Sequence, residues 1–330
     1  MTSRGRRLLI GVLACAACAP VSGADAVGPP LPSSATGRAG VVAPGGSERF
    51  LTRRAGDETI VRVVRRGDRR LLRSRRIGGR WTVPAATLEG GTTGLSGDGR
   101  VLALGRPARS IPVSTELAVL DTAHLTVMRR ISLEGFFTVD AISPDGTWIY
   151  LIQYGGAGDF LDYRVRALDA RTGRLASRDV VDPREPDEQM GGFPMARVMS
   201  RDGRWAYTLY LGGDESFIHA LDTVGRSAAC IDLEMIPAQG DLAGYRLSLS
   251  AGRRLDVRSL GNVVATVDTR TFAVSEPGAS STSHREPAPA PARHRSSGTS
   301  ADGGGFSWWV LLPAAGLCVL VARSVAGRAH

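Results

Sequence analysis

Two short stretches decide the fold: Ser143-Pro144-Asp145-Gly146-Thr147-Trp148-Ile149-Tyr150-Leu151 and, further along, Ala167-Leu168-Asp169-Ala170. Asp-Gly is a strong turn dipeptide, because the carboxylate caps the turn and glycine accepts positive φ. Apolar and aromatic residues on both sides make two antiparallel strands. Asp169 opens a second turn before Arg174. The spacing predicts four strands, over 137–142, 148–153, 163–168 and 174–181.

Both markers recur in the same order. Ser96-Gly97-Asp98-Gly99, Ser200-Arg201-Asp202-Gly203 and the degenerate Ser250-Ala251-Gly252-Arg253 each precede an apolar run, and Ala43-Pro44-Gly45-Gly46 is a weaker first copy. The starts at 43, 96, 143, 200 and 250 are 53, 47, 57 and 50 residues apart. Asp68, Asp121, Asp169, Asp222 and Asp268 follow these starts by 25, 25, 26, 22 and 18 residues. A period near 50 is the signature of a repeat architecture, and four strands in about 40–50 residues make one propeller blade. The expectation is an all-β chain: a β-propeller of about five four-stranded blades over 39–77, 91–133, 136–181, 194–233 and 244–275. The ring closes by packing the first unit on the last, with no blade shared between the chain ends.

The Ser-Pro-Asp-Gly turn, the Ile-Tyr or Ala-Tyr strand after it and the later Leu-Asp-Thr or Leu-Asp-Ala turn resemble the YVTN-type bacterial β-propeller repeat and its WD-like cousins. The resemblance spans residues 39–275. It implies an architecture and leaves activity open, because propellers host many unrelated functions.

The ends assign a compartment. Arg4, Arg6 and Arg7 precede a short apolar run from Leu8 to Ala19, the pattern of a secretory signal peptide over 1–26, with cleavage expected after Ala24 or Ala26. Residues 27–38 read as a disordered arm. Residues 276–305, rich in Pro, Ala, Ser and Gly, form a stalk without core-forming residues. Residues 306–322 carry no charge, open with Trp308 and Trp309 in the interfacial belt, and read as a transmembrane helix, leaving 323–330 as a cytoplasmic tail. The expected protein is single-pass in the cell membrane, N-terminus outside, ectodomain extracytoplasmic.

That topology also disposes of the charge. The chain of 330 residues has a net charge of +9, and all 41 basic residues are Arg. Removing the signal peptide and the tail leaves 36 Arg against 31 acids, which is mild and argues against a nucleic-acid partner outside the membrane. Cys15 and Cys18 fall in the signal and Cys318 in the span; Cys230 remains, read as a small buried hydrophobe.

Candidate chemistry is sparse. Of five His, only His124 and His219 fall in the repeats, each in or beside a predicted strand. No metal-ligand spacing occurs, and no cofactor is called for. Ser96 is a turn residue of the repeat, the Gly155–Asp159 run opens no helix, and Asp179, Asp182, Glu185, Asp187 and Glu188 read as a solvated acidic loop. Twelve Arg fall between Arg49 and Arg80, so several share the outer face of one blade; the favoured reading is a charged surface that discourages edge pairing, and the alternative is contact with an anionic surface. The expected function is non-enzymatic: a binding module at the cell surface for a protein or a cell-envelope polymer. The alternative is an extracytoplasmic lactonase- or glycosidase-like hydrolase with carboxylates in the central channel; a glycosidase needs a pair about 5–10 Å apart. Asp140, on a predicted innermost strand, is the one in-strand carboxylate for that role.

Overall fold

In a computed structural model of the protein, residues 39–277 are described, apart from 109–110, 156–162, 188–189, 241 and 251–252. The expected signal peptide, arm, membrane helix and tail lie outside the described residues, as does the stalk beyond Pro277. Among the described residues no helix is long and apolar enough to cross a membrane.

The chain forms five consecutive antiparallel sheets, each a simple meander. Unit one is β1 (Val41–Val42), β2 (Glu48–Ala55), β3 (Glu58–Arg65) and β4 (Leu71–Gly78). Unit two is β5 (Val101–Gly105), β6 (Ser114–Asp121) and β7 (Thr126–Glu134). Unit three is β8 (Phe137–Ile142), β9 (Trp148–Tyr154), β10 (Tyr163–Asp169) and β11 (Leu175–Asp179). Unit four is β12 (Phe193–Met199), β13 (Trp205–Leu211), β14 (Phe217–Asp222) and β15 (Ser227–Asp232). Unit five is β16 (Tyr245–Leu249), β17 (Arg254–Ser259), β18 (Asn262–Asp268) and β19 (Val274–Ser275). The expected boundaries hold, with one correction: unit two has three strands, not four. Its innermost strand is reduced to a single bridge, Leu95 to Leu102, because the chain before it is used elsewhere.

The first marker folds the same way each time. In units two to four the Ser hydroxyl donates to the Asp carboxylate two residues on, at 2.6, 2.6 and 2.5 Å. The same hydroxyl accepts the N–H five residues ahead, opening the next strand. Gly99, Gly146 and Gly203 take φ of 73°, 75° and 74°, the left-handed turn position that Asp-Gly announces. Unit one, without Ser or Asp, keeps the backbone bonds alone: Ala43 N–H to Glu48 and Gly46 N–H to Ala43. In unit five the turn is one residue tighter, Ser250 N–H to the Arg254 carbonyl, which accounts for its lost Asp-Gly.

The second marker is an Asx turn. Asp169 Oδ1 accepts the N–H groups of Arg171 and Thr172, Asp222 Oδ1 those of Val224 and Gly225, and Asp268 Oδ1 those of Arg270 and Thr271. Hydrogen bonds from their own turns hold the Asp169 and Asp268 carboxyls below the usual range. The two markers also meet: Thr122, Ala170, Thr223 and Thr269 donate N–H to the carbonyls of Arg100, Thr147, Arg204 and Arg253. Two signals some 20 residues apart in sequence therefore close one end of each unit together.

Four hydrophobic cores join neighbouring units. One is built on Phe50, Val61, Leu102 and Leu120; one on Leu117, Val119, Phe137 and Leu151; one on Tyr150, Val165, Tyr210 and Leu221; one on Leu209, Ile218, Leu255 and Val267. The expected packing of unit five on unit one has no counterpart: among the described residues no core joins them. The faces left over explain this. On unit one the pairs Arg49–Val64, Leu51–Arg62 and Arg53–Ile60 fall on the side away from unit two. On unit five the side away from unit four carries Arg246–Arg258 and Ser248–Asp256, with Asp256 held between Arg254 and Arg258. Such faces bury little apolar area and cannot make a core.

The five units share one connector instead. The connector between β4 and β5 touches every unit. Thr82 bridges Gly105 of unit two. Thr92 Oγ1 donates to the Gly40 carbonyl of unit one at 2.9 Å, and Thr93 Oγ1 to the Asp140 carbonyl of unit three at 2.9 Å. Leu88 N–H donates to the Pro194 carbonyl of unit four at 2.9 Å, and its side chain packs on the core of units four and five. The Glu89 carboxylate accepts Gly244 N–H at 2.9 Å and pairs with Arg246 of unit five. This segment thus contacts all five units and takes the place of an innermost strand in unit two.

Candidate functional site

Unit four buries both faces of its central strands. The face toward unit five is apolar through its middle, with Tyr207, Leu209, Ile218, Ala220, Ala229 and Ile231, and carries Asp222, paired with Arg204, only at its end. The face toward unit three is not. Register places Arg197, Thr208, His219 and Cys230 opposite one another on β12, β13, β14 and β15. They form one polar row from the axis to the rim, with Tyr210 and Phe217 on one side and Ala206, Leu221 and Ala228 on the other.

At the inner end the row meets Asp140 on β8. The Arg197 guanidinium donates to both the carboxylate and the carbonyl of Asp140. Arg197 Nε and Nη2 also reach Thr208 Oγ1 at 2.9 and 2.8 Å. The two side chains are 6% and 3% exposed, so this is a buried ion pair beside the connector. Asp140 is thus on the innermost strand as the repeat phase predicts, but it is neutralised by Arg197 and closed off from solvent.

His219 sits further out and is completely buried. Neither ring nitrogen has a hydrogen-bond partner. The Tyr210 ring meets it edge-on at 6.4 Å. Burial pushes its pKa down to about 4, an effect that Asp140 opposes and Arg197 reinforces. The imidazole is therefore neutral at pH 7, with one lone pair and one N–H to offer. Leaving such a group unsatisfied costs about 1–3 kcal/mol.

At its outer end the row opens into a cavity of about 260 Å³ between units three and four, lined by Tyr163, Val165, Val180, Met190, His219 and Cys230 among others. Asp179, Asp182, Glu185 and Asp187 also line it. Two of these acids are structural. Asp179 Oδ1 lies 2.9 Å from Arg166 Nε. Asp182 Oδ2 lies 2.5 Å from Arg184 and accepts Cys230 N–H at 3.0 Å. The Asp182 side chain is 2% exposed, so the reading of a wholly solvated acidic loop is corrected: its carboxylate seams unit three to β15. Loss of solvent acts against that charge, and the Arg184 and backbone hydrogen bonds outweigh it, leaving the carboxyl below its usual range. Glu185 and Asp187 are exposed and make no ion pair among the described residues.

The other sequence candidates fall elsewhere. His124 lies in the turn between β6 and β7, with Nδ1 2.9 Å from Asp121 Oδ2, and is a turn residue. Ser96 is consumed in its turn, as expected. Most of the Gly155–Asp159 run lies outside the described residues. Cys230 is half-buried rather than fully buried, and lines the cavity. The Arg cluster divides: Arg49, Arg53, Arg62 and Arg76 share one face of unit one, Arg54, Arg73 and Arg75 lie on the other, and the remainder sit near turns. Glu48, Glu58 and Asp57 pair with Arg73, Arg76 and Arg80. Among the described residues no group of three His, Cys, Asp or Glu side chains is arranged to hold a metal ion.

The polar row was within reach of the sequence. Arg197, Thr208, His219 and Cys230 are each 11 residues apart, which is what reflection about successive hairpin turns produces. Hydropathy alone hides it, because every second residue on these strands is apolar on the opposite face.

The chain matches no family model. It matches no curated protein either. Among solved structures it is similar to the Cps50 (Swd1) β-propeller domain of Myceliophteria thermophila, at 13% identity and a TM-score of 0.40 over 69% of this chain and 63% of that one. It is similar to the Dos1 propeller, at 11% identity and a TM-score of 0.42 over 70% of this chain and 58% of that one. TolB from Acinetobacter baumannii aligns at 12% identity and a TM-score of 0.39 over 71% of this chain and 52% of that one. The chain thus spans between about half and two thirds of the length of these structures.

Proposed function

We propose that this chain is an exported, membrane-anchored, propeller-like binding module that takes its ligand in the cavity between units three and four and performs no chemistry on it. The observation that carries the reading is His219: a fully buried imidazole with both nitrogens unpartnered, at the wall of a cavity where Asp179 and Asp182 are engaged by Arg166 and Arg184 and the exposed Glu185 and Asp187 at the mouth are in no ion pair among the described residues. A purely structural position would favour an apolar residue, as the opposite face of the same strands has. The inner end of the row offers less to a ligand, since the connector lies against it and Asp140 is ion-paired with Arg197 and closed off from solvent, although its Oδ2 is left without a hydrogen bond. Export and anchoring rest on residues 1–26 and 306–322, and partners in the envelope, a protein or a polymer, follow from that location.

Photo-crosslinking in intact cells tests the reading, with a crosslinking amino acid at Val181 of the full chain and at the exposed Val224 as control. A discrete adduct at Val181 alone, in the membrane fraction, is expected. Recovery of the full chain as a soluble cytoplasmic protein, or turnover of lactone or glycoside substrates by the purified chain, overturns it.

A further inference from the structure

The cavity between units three and four also indicates what it holds. Resting on the binding-module reading, we infer that it takes a small amino alcohol: a molecule with a cationic amine at one end and a hydroxyl at the other.

The charge at the mouth favours a cation. The acids lining the cavity are Asp179, Asp182, Glu185 and Asp187. Asp179 is shared by Arg164 and Arg166, and Asp182 is held by Arg184. Four carboxylates against three guanidinium groups leave one negative charge, and it lies with the exposed Glu185 and Asp187, which pair with nothing among the described residues. One ammonium matches that excess.

The wall selects a hydroxyl. His219 is neutral and fully buried, so an ammonium driven against it would lose its hydration for one neutral acceptor. A hydroxyl both donates and accepts, and meets either ring nitrogen at smaller desolvation cost. The surroundings of the imidazole are apolar and aromatic, with Val165, Val180 and Tyr163 beside it, which suits a short methylene linker between the two polar ends. The volume, about 260 Å³, fits a group of few heavy atoms, free or at the end of a larger envelope molecule.

Four probes of one chain length separate the two ends: 4-amino-1-butanol, n-butylammonium, 1,4-butanediol and 4-hydroxybutyrate. Binding to the purified full-length chain is followed by calorimetry and by the nitrogen-15 resonances of His219. 4-Amino-1-butanol should bind tightest and shift those resonances. His219→Phe should weaken it about tenfold while changing n-butylammonium less than about twofold. Glu185→Gln with Asp187→Asn, both on the surface and outside any core, should weaken both amines about threefold and spare the diol. Equal or tighter binding of the diol or of 4-hydroxybutyrate, or no binding of any probe at millimolar concentration, overturns the ligand class. The Val181 adduct in cells is a separate readout, so the ligand class can fail while the binding module stands.

Discussion

The strands β13 and β14 present two buried faces built from alternate residues of the same segments. The face toward unit five is a plain apolar core, and the face toward unit three carries Arg197, Thr208, His219 and Cys230 through its middle. Both are largely buried, yet only one is what folding alone would select. An apolar row in place of the polar one would bury as much area without an ion pair to desolvate or an imidazole to leave unsatisfied. The apolar face is what architecture requires, and the polar row is the difference on which the proposed binding role rests.

Substitutions on the two faces sharpen this contrast. The largest effect is expected at Arg197. Arg197→Leu leaves Asp140 charged and buried and should destabilise the protein by about 4 kcal/mol in urea unfolding, whereas Asp140→Leu combined with Arg197→Leu should recover most of that loss. If the double variant is no better than the single, the pair contributes stability after all. On the apolar face, Ile218→Ala should cost about 3 kcal/mol through the void it leaves.

His219 gives a pH signature that no apolar position can. Its folded pKa of about 4 lies below the ordinary value of 6.5, so the unfolded chain takes up a proton that the folded chain refuses. The stability contribution is complete above pH 6.5 and is lost as the pH falls toward 4. Between about pH 7.5 and about pH 4.5 the loss should be about 2.5 kcal/mol. His219→Phe should remove that slope, and a variant that retains it places the titrating group elsewhere. The carboxyls of the turn markers shift downward instead, so their contribution holds above the usual carboxylate range and is lost only below it.

Smaller effects are expected at the turns. A Cβ on Gly146 would lie 2.4 Å from a Val101 methyl, in a left-handed conformation, so Gly146→Ala should cost about 2 kcal/mol. Gly45 has the same handedness and nothing within 4 Å, and Gly45→Ala should cost about 1 kcal/mol. Ser143→Ala loses the hydroxyl that ties Asp145 to Trp148 N–H and should cost about 1 kcal/mol. The thermal midpoint of Gly146→Ala should fall furthest, with the other two variants close together above it.

The sequence made the repeats legible because each is fixed by local chemistry. Asp145 and Gly146 specify a turn whatever surrounds them, and Asp169 specifies the next; the strands between follow by alternation. Asp140 and His219 were visible as residues but not as neighbours of Arg197 and Cys230, since that depends on hairpin register and on which face meets unit three. The connector was legible only as a gap before Ser96. Its partners, Pro194 and Gly244, are more than a hundred residues away, and no local pattern encodes such contacts. The missing core between units five and one was hidden for a related reason: period-two alternation marks a strand, while the identity of the facing element decides whether its outer residues need to be apolar.

The connector also bears on how the chain reaches this state. In an array of repeats each unit needs only its neighbours, and order can spread along the chain from any point. Here Glu89 must find Gly244, 155 positions later, before the contacts of the connector are complete. Closing so long a loop is slow, and the bonds it brings come only at the end. Until units four and five are in place, Leu88 lacks both the Pro194 carbonyl and the core it packs on. The expectation is that the units, each closed by local turns, form first and that the distant contacts of the connector with Pro194 and Gly244 form last.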